Sequence, residues 1–277
     1  IPNFKSSNLI RKIENYKIFA LLKNLYNTMK KISLLLLTVL SIIACSQKET
    51  NLKVSGNIKG LKKGTLYLQM IEDTSLVNVD SVTINGDSNF LLQANIDSPQ
   101  IMYLYLNKVD NSEFDDRLDF FADEGETKIN TSLEKFESDA KITGSKNQEK
   151  LVEYRKMMSR FNDSNLDIIK ENFEAQKAED EEKLIELDNR YERLLKRKYL
   201  YTVNFALNNK NLELAPYLAL SEVFDANIKY LDTIYNSLEK DVQKSKYGKQ
   251  LKRFLKERRK EEKLEEKIEA DNEENNS

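Results

Sequence analysis

Apolar and polar positions alternate with a period of two from about Leu52 to Ile142, and follow a helical period beyond it. Leu52, Val54, Gly56 and Ile58 alternate with polar residues, and Gly60 to Gly64 read as a turn. Leu66, Leu68 and Met70 resume the alternation with Tyr67 opposite. On the next strand Val77, Val79, Ser81 and Thr83 are expected on one face, with Asp80, Val82 and Ile84 on the other. Asn85-Gly86-Asp87 predicts a hairpin, because Asn and Gly tolerate positive φ. Further strands are expected at Asn89 to Ala94, Ile101 to Leu106, Leu118 to Ala122 and Thr127 to Asn130. Short strands joined by Gly, Asn and Asp turns predict an antiparallel β-sandwich or open barrel.

The period changes at Gly144-Ser145-Lys146-Asn147-Gln148, where Ser145 and Gln148 match a capping box. Leu151, Tyr154, Met158, Phe161, Ile169 and Phe173 then fall at helical spacing, and Asn162-Asp163-Ser164-Asn165 is a candidate kink or cap. After the charged stretch Gln176 to Glu182, a second helix carries Leu184, Leu187, Tyr191, Leu194, Leu195 and Tyr199 near a heptad stripe. Two such helices form an antiparallel hairpin. Asn208 to Asn211 breaks the pattern, and Pro216 suits the first turn of a short helix with Tyr217, Leu218, Leu220 and Phe224. Leu231, Ile234, Tyr235 and Leu238 predict another, and Leu251, Phe254 and Leu255 follow Tyr247-Gly248. From Glu257 the chain is almost all charge and Asn, which reads as a solvated helix fraying into a tail. The expected fold class is α+β: a β-sandwich over 51–144, a helical region over 145–256 and a charged tail over 257–277.

One stretch belongs to neither period. Met29, Lys30 and Lys31 give a positive end, Ile32 to Ala44 is apolar, and Cys45 follows. That sequence of features describes a secretory signal. The apolar run falls short of the ~20 residues a spanning helix needs. Ile42-Ile43-Ala44-Cys45 resembles the lipobox of bacterial lipoproteins. Small Ala44 lets a peptidase reach the bond before Cys45, and the Cys45 thiol is the strongest side-chain nucleophile for accepting a lipid. The resemblance implies two or three acyl chains on Cys45. Each buried methylene contributes ~0.8 kcal/mol, and one chain alone holds only marginally, so several chains give a lasting attachment. The expected organisation is an upstream segment outside the protein proper (1–28), a lipoprotein signal peptide (29–44) and a polar tether (45–50).

Composition narrows the chemistry. The 277 residues include no His, no Trp and a single Cys. With Cys45 acylated, this excludes disulfides, a Cys-x-x-Cys pair, the usual zinc sites and His acid–base catalysis. The expected protein is therefore non-enzymatic, with no cofactor and no metal. Of 44 basic and 46 acidic residues, seven basic and one acidic precede Cys45, which leaves a charge of −8 from Cys45 onward. That balance argues against nucleic acid as a partner.

Three polar groups stand out. Asp80-Ser81 reads as a pair satisfying backbone amides at a strand bend, with ligand contact as the alternative. Tyr103 and Tyr105 share a strand face, where half-buried structural tyrosines are common and stacking on a sugar is the alternative. Asp115, Asp116, Asp119, Asp123, Glu124 and Glu126 surround Gly125. Their oxygens suit Ca²⁺, but their spacing is not that of an EF-hand, so a solvated loop is expected.

Val54-Ser55-Gly56-Asn57-Ile58-Lys59-Gly60-Leu61-Lys62-Lys63-Gly64-Thr65-Leu66-Tyr67-Leu68 resembles the N-terminal domain of unknown function in thioredoxin-like lipoproteins of Bacteroidetes type. So do Val79-Asp80-Ser81-Val82 with Gly86 and Phe90, and the closing Ile142-Thr143-Gly144-Ser145. Ala215-Pro216-Tyr217, Ile234 to Leu238 and Ser245 to Lys249 resemble the linker region of those proteins. Longer relatives continue into a thioredoxin-like domain with Cys-x-x-Cys. This chain has no Cys beyond Cys45, so that activity does not carry over. The resemblance implies a lipoprotein of the cell envelope, bound to a bacterial membrane (the outer membrane, facing the periplasm or the surface) through the lipid on Cys45. A binding or scaffolding role toward envelope protein partners is expected. The alternatives are a glycan- or peptide-binding module, and a truncated relative of a thiol-disulfide oxidoreductase lacking its catalytic domain.

Overall fold

The computed structural model describes residues 50–108 and 116–275, of which 266 and 269–275 are described by backbone alone. The strands are β1 (Leu52–Lys59), β2 (Lys63–Glu72), β3 (Ser75–Asn85), β4 (Asn89–Ala94), β5 (Gln100–Lys108), β6 (Asp116–Ala122), β7 (Gly125–Ser132) and β8 (Lys141–Thr143). They form two four-stranded sheets, ordered β4-β1-β7-β8 and β3-β2-β5-β6. The alternating apolar residues of both sheets meet in one core, among them Leu52, Val54, Leu66, Leu68, Leu92, Met102, Leu104 and Phe120. The architecture is thus an open sandwich followed by helices, the α+β class expected from the sequence. The β1–β7 pair is parallel, with Leu52 opposite Gly125 and Lys59 opposite Ser132. All other pairs are antiparallel.

Two strand-level expectations change. The turn at Asn85-Gly86-Asp87 reverses the chain, with Gly86 at φ +100°, but it does not make a hairpin. It carries the chain from one sheet to the other, and β4 pairs with β1 instead. Turn residues specify a reversal, not the ladder that follows it. In β3, Gln69 pairs with Asn78 and Leu68 with Asp80, so Val79 is an extra, bulged residue. The bulge inverts the inward–outward parity. Val79 packs on the core, Val82 and Ile84 do so beyond it, and Ser81 and Thr83 are exposed.

The helices are α1 (Lys146–Ala178), α2 (Glu181–Asn208), α3 (Leu214–Ser221), α4 (Ile228–Ser237), α5 (Lys240–Lys244) and α6 (Lys246–Asn275). Helix α1 runs unbroken through Asn162 to Asn165, because Asn162, Asp163 and Ser164 face solvent there. It ends at Glu179, in the left-handed region at φ +54°, and Asp180 caps α2 by accepting from the Lys183 amide at 3.0 Å. The buried seam of α1 is Leu151, Tyr154, Met158, Ile168 and Ala175. Ile169 and Phe173 are instead 55% and 59% exposed. Both Ile168 and Ile169 lie at helical spacing from Phe161; the seven-residue repeat of a packed hairpin selects Ile168, which clusters with Ala175 and Leu187 of α2.

The helices dock on the outer face of the second sheet. Ile101 and Phe121 point away from the sandwich core and are buried against Leu151, Tyr154, Met158, Phe205, Leu214 and Leu218. The expected capping box is half made. Ser145 accepts from the Gln148 amide at 2.9 Å, but the Gln148 side chain accepts from the Phe121 amide of β6 at 2.7 Å. Asn147 links α1 to Asp123 at 2.9 Å and to the Leu214 amide, also at 2.9 Å. At the far side, the Tyr247 hydroxyl accepts from the Ile101 amide at 3.0 Å. Lys246 donates from Nζ to the Ile71 carbonyl at 2.8 Å and to Gln100. The remaining helices close a second core around Val203, Ala219, Leu231, Ile234, Leu251 and Leu255.

Candidate binding surfaces

Asp80 occupies the residue after the bulge. One carboxylate oxygen accepts from the Ser81 amide at 2.8 Å and the other from the Gln93 amide of β4 at 2.7 Å. Asp80 satisfies backbone amides, as read from the sequence, and Ser81 takes part through its own amide. In doing so Asp80 joins the edge strands of the two sheets, which the sequence did not reveal.

The outward face of β2, β5 and β6 carries two cross-strand rows: Tyr67–Tyr105–Arg117 and Gln69–Tyr103–Asp119. Tyr67 and Tyr105 stack with centroids 5.9 Å apart and planes at 25°, and the Arg117 guanidinium lies 5.1 Å from the Tyr105 ring centre. Tyr105 therefore sits between two protein neighbours. Burial, and secondarily Asp119, push the Tyr103 hydroxyl above its usual pKa. Asp119 is in turn paired with Arg155 of α1.

The acid-rich stretch disperses. Asp116 pairs with Lys108 and Asp119 with Arg155. Asp123 accepts from the Lys146 amide at 3.0 Å and from Asn147. Glu124 accepts from Asn51 at 3.2 Å and Glu126 from Ser55 at 3.0 Å. Among the described residues no group of three or more acidic side chains is gathered for a metal ion. Asp115 lies outside the described residues, as do the signal-like stretch from Met29, Ala44 and Cys45.

A surface that sequence reading missed lies on the α1–α2 hairpin. Leu166, Ile169 and Phe173 recur at intervals of three and four along one flank of α1, and are 63%, 55% and 59% exposed. Tyr191 of α2 is also exposed. The signal was present in the sequence as a second apolar stripe offset by one position from the seam. Lys177, 4.5 Å above the Phe173 ring, covers part of it. Farther along α2 a groove of about 240 Å³ opens between Leu195, Tyr199, Leu200 and Tyr230. Burial first, then Asp225, which accepts from the Tyr199 hydroxyl at 2.7 and 2.8 Å, push that hydroxyl up to about 12.

The fold and its surfaces define an α+β protein with a two-sheet sandwich docked on helices. Residues 52–151 match the family described as Domain of unknown function (DUF4369). The match takes in all eight strands, the Ser145–Gln148 junction and the first turn of α1. No curated protein and no solved structure matches the chain.

Proposed function

We propose that the protein is a membrane-anchored lipoprotein of the cell envelope, of the Bacteroidetes type that carries this domain beside thioredoxin-like modules, with a non-enzymatic binding or scaffolding role. Cys45 carries the lipid, and the helical hairpin contacts an envelope protein partner. The observation that carries the contact role is the solvent-facing stripe Leu166, Ile169 and Phe173 on a helix whose other face is already packed. Apolar residues at i, i+3 and i+7 form a stripe whose period suits packing against an amphipathic helix, so the partner is expected to present one. No helix among the described residues is long and apolar enough to cross a membrane, and attachment in this reading rests on Cys45.

Metabolic labelling with a palmitate analogue tests the first half: the wild type is tagged and Cys45→Ala is not. Capture from detergent-solubilised envelope, comparing the wild type with Ile169→Glu/Phe173→Glu, tests the second. The exposed double variant keeps its circular dichroism spectrum and loses the partner. Equal tagging of both chains, or a partner retained by the double variant, contradicts the corresponding half.

A further inference from the structure

The opposite flank of the hairpin has different chemistry. The seam of Phe161, Ile168 and Ala175 divides α1 into the apolar flank and a flank bearing Ser164, Asp167 and Glu171. Facing the latter, α2 turns Lys183, Glu186, Arg190, Arg193 and Arg197 toward α1 at intervals of three and four. The half nearest the turn is neutralised. Glu171 accepts from Arg190 at 2.7 Å and lies 3.4 Å from Lys183, which bonds Glu186 at 3.0 Å. The other half is not. There a cavity of about 260 Å³ opens, lined by Ser164, Asp167, Arg190, Arg193 and Arg197. Arg193 and Arg197 have no hydrogen bond or ion pair among the described residues, whereas Arg190 is held by Glu171.

Two uncommitted guanidiniums one helical turn apart present paired N–H forks to the same space. A single carboxylate is saturated by one such fork; the terminal oxygens of a phosphate monoester accept from both. Asp167 disfavours a bare anion in the cavity. It becomes an asset when the ligand also carries hydroxyls, which donate to its carboxylate and exchange hydrogen bonds with Ser164. We propose that this cavity binds a hydroxyl-bearing phosphate ester of the sugar-phosphate class, with Arg193 and Arg197 on the phosphate and Asp167 and Ser164 on the hydroxyls. A free sugar phosphate and the phosphorylated sugar headgroup of a membrane lipid both offer this chemistry.

The test is titration calorimetry on the full chain carrying Cys45→Ala, with a hexose monophosphate, the parent hexose and inorganic phosphate as probes. Co-sedimentation runs in parallel, with phosphatidylcholine vesicles containing or lacking a phosphatidylinositol monophosphate, whose inositol ring bears a phosphate monoester; without the acylated cysteine, lipidation does not itself carry the protein to the vesicles. The hexose phosphate is expected to bind more tightly than inorganic phosphate, the hexose not to bind, and the affinity to fall with salt. Arg193→Ala and Arg197→Ala each weaken binding about tenfold or more, and Asp167→Ala removes the preference for the ester over phosphate. Both arginines are exposed on a helix, where Ala is well tolerated, so the variants keep their fold. Binding confined to the phosphatidylinositol monophosphate vesicles, and abolished by the arginine variants, assigns the ligand as a headgroup. Binding of no probe, or arginine variants that bind like the parent, overturns the proposal.

Discussion

Gly56 sits in β1 between Phe90 of β4 and Ile129 of β7. A Cβ at this position falls 1.7 Å from the Ile129 carbonyl oxygen. The obstacle is backbone in a paired strand, so it cannot rotate away. Gly56→Ala should therefore cost about 3 kcal/mol or more, read as a lowered urea midpoint. Gly86→Ala serves as the comparison. Its Cβ meets nothing within 4 Å, and only the φ of +100° is unfavourable, so the cost should be roughly 1–2 kcal/mol. Equal losses at both positions would contradict the close-approach argument. A glycine inside an alternating strand does signal a close backbone approach, but its neighbour lies in a parallel strand much later in the chain, and alternation is silent about that. Val79 shows the same limit. Its apolar character was legible, yet the bulge that turns it inward while Ser81 turns outward depends on the ladder with β2. Asp80 was the opposite case, because short side chains bonding to nearby amides are a local habit.

At the scale of elements, the two stripes of α1 decide between packing and contact. Ile168 and Ile169 are adjacent and chemically identical, but 7% and 55% exposed. Ile168→Ala should destabilise the protein by about 2–4 kcal/mol, through lost burial and the cavity left beside Leu187. Ile169→Ala should change stability by no more than about 0.5 kcal/mol, since it exchanges an exposed branched side chain for a better helix former. Thermal or urea unfolding of both variants checks this; similar losses would mean that the seam is placed one residue wrong. Seven strands, the hairpin helices and the short helices α3 and α4 were readable because each has its own period; the five-residue α5 does not. The three-residue β8 was too short to have one. The corner between β3 and β4 read as a hairpin because its turn chemistry is that of a hairpin. What separates the two is which sheet needs the apolar face of Phe90, Leu92 and Ala94, and that is settled by the whole core.

The whole molecule is joined where helices meet the second sheet, and that junction is rich in tyrosine. The Tyr154 hydroxyl shares a hydrogen bond of 2.8 Å with Thr202, Tyr247 accepts from the Ile101 amide, and Tyr217 meets Phe121 edge-on at 5.8 Å. None of this was legible, because Ile101 and Tyr247 are 146 positions apart and each pairing joins a helix either to a strand face or to another helix. It has a consequence for alkaline stability. Tyr103, Tyr154, Tyr199, Tyr201, Tyr217 and Tyr247 are all pushed above the ordinary value of 10.0, in each case chiefly by burial. Above pH 10 the unfolded chain releases phenolic protons that the folded chain retains. The folded state then holds more protons than the unfolded state, so stability falls as pH rises. The contribution is fully present below pH 10 and is lost as pH climbs through the folded values, about 12 for Tyr199. Lys246 acts in the other direction: burial lowers its pKa below 10.5, so it adds stability as pH approaches 10.5 and nothing further beyond. Urea midpoints measured between about pH 9 and 12 should thus hold or rise slightly and then drop steeply, with the last part of the phenolate absorbance appearing together with loss of helix. Tyr154→Phe, which removes one of these phenols, should be less stable near neutral pH for want of the Thr202 bond and should show a shallower alkaline fall. Midpoints flat across the range, or phenolate absorbance for all thirteen tyrosines complete near pH 10 with the helices intact, would contradict a tyrosine-sealed junction.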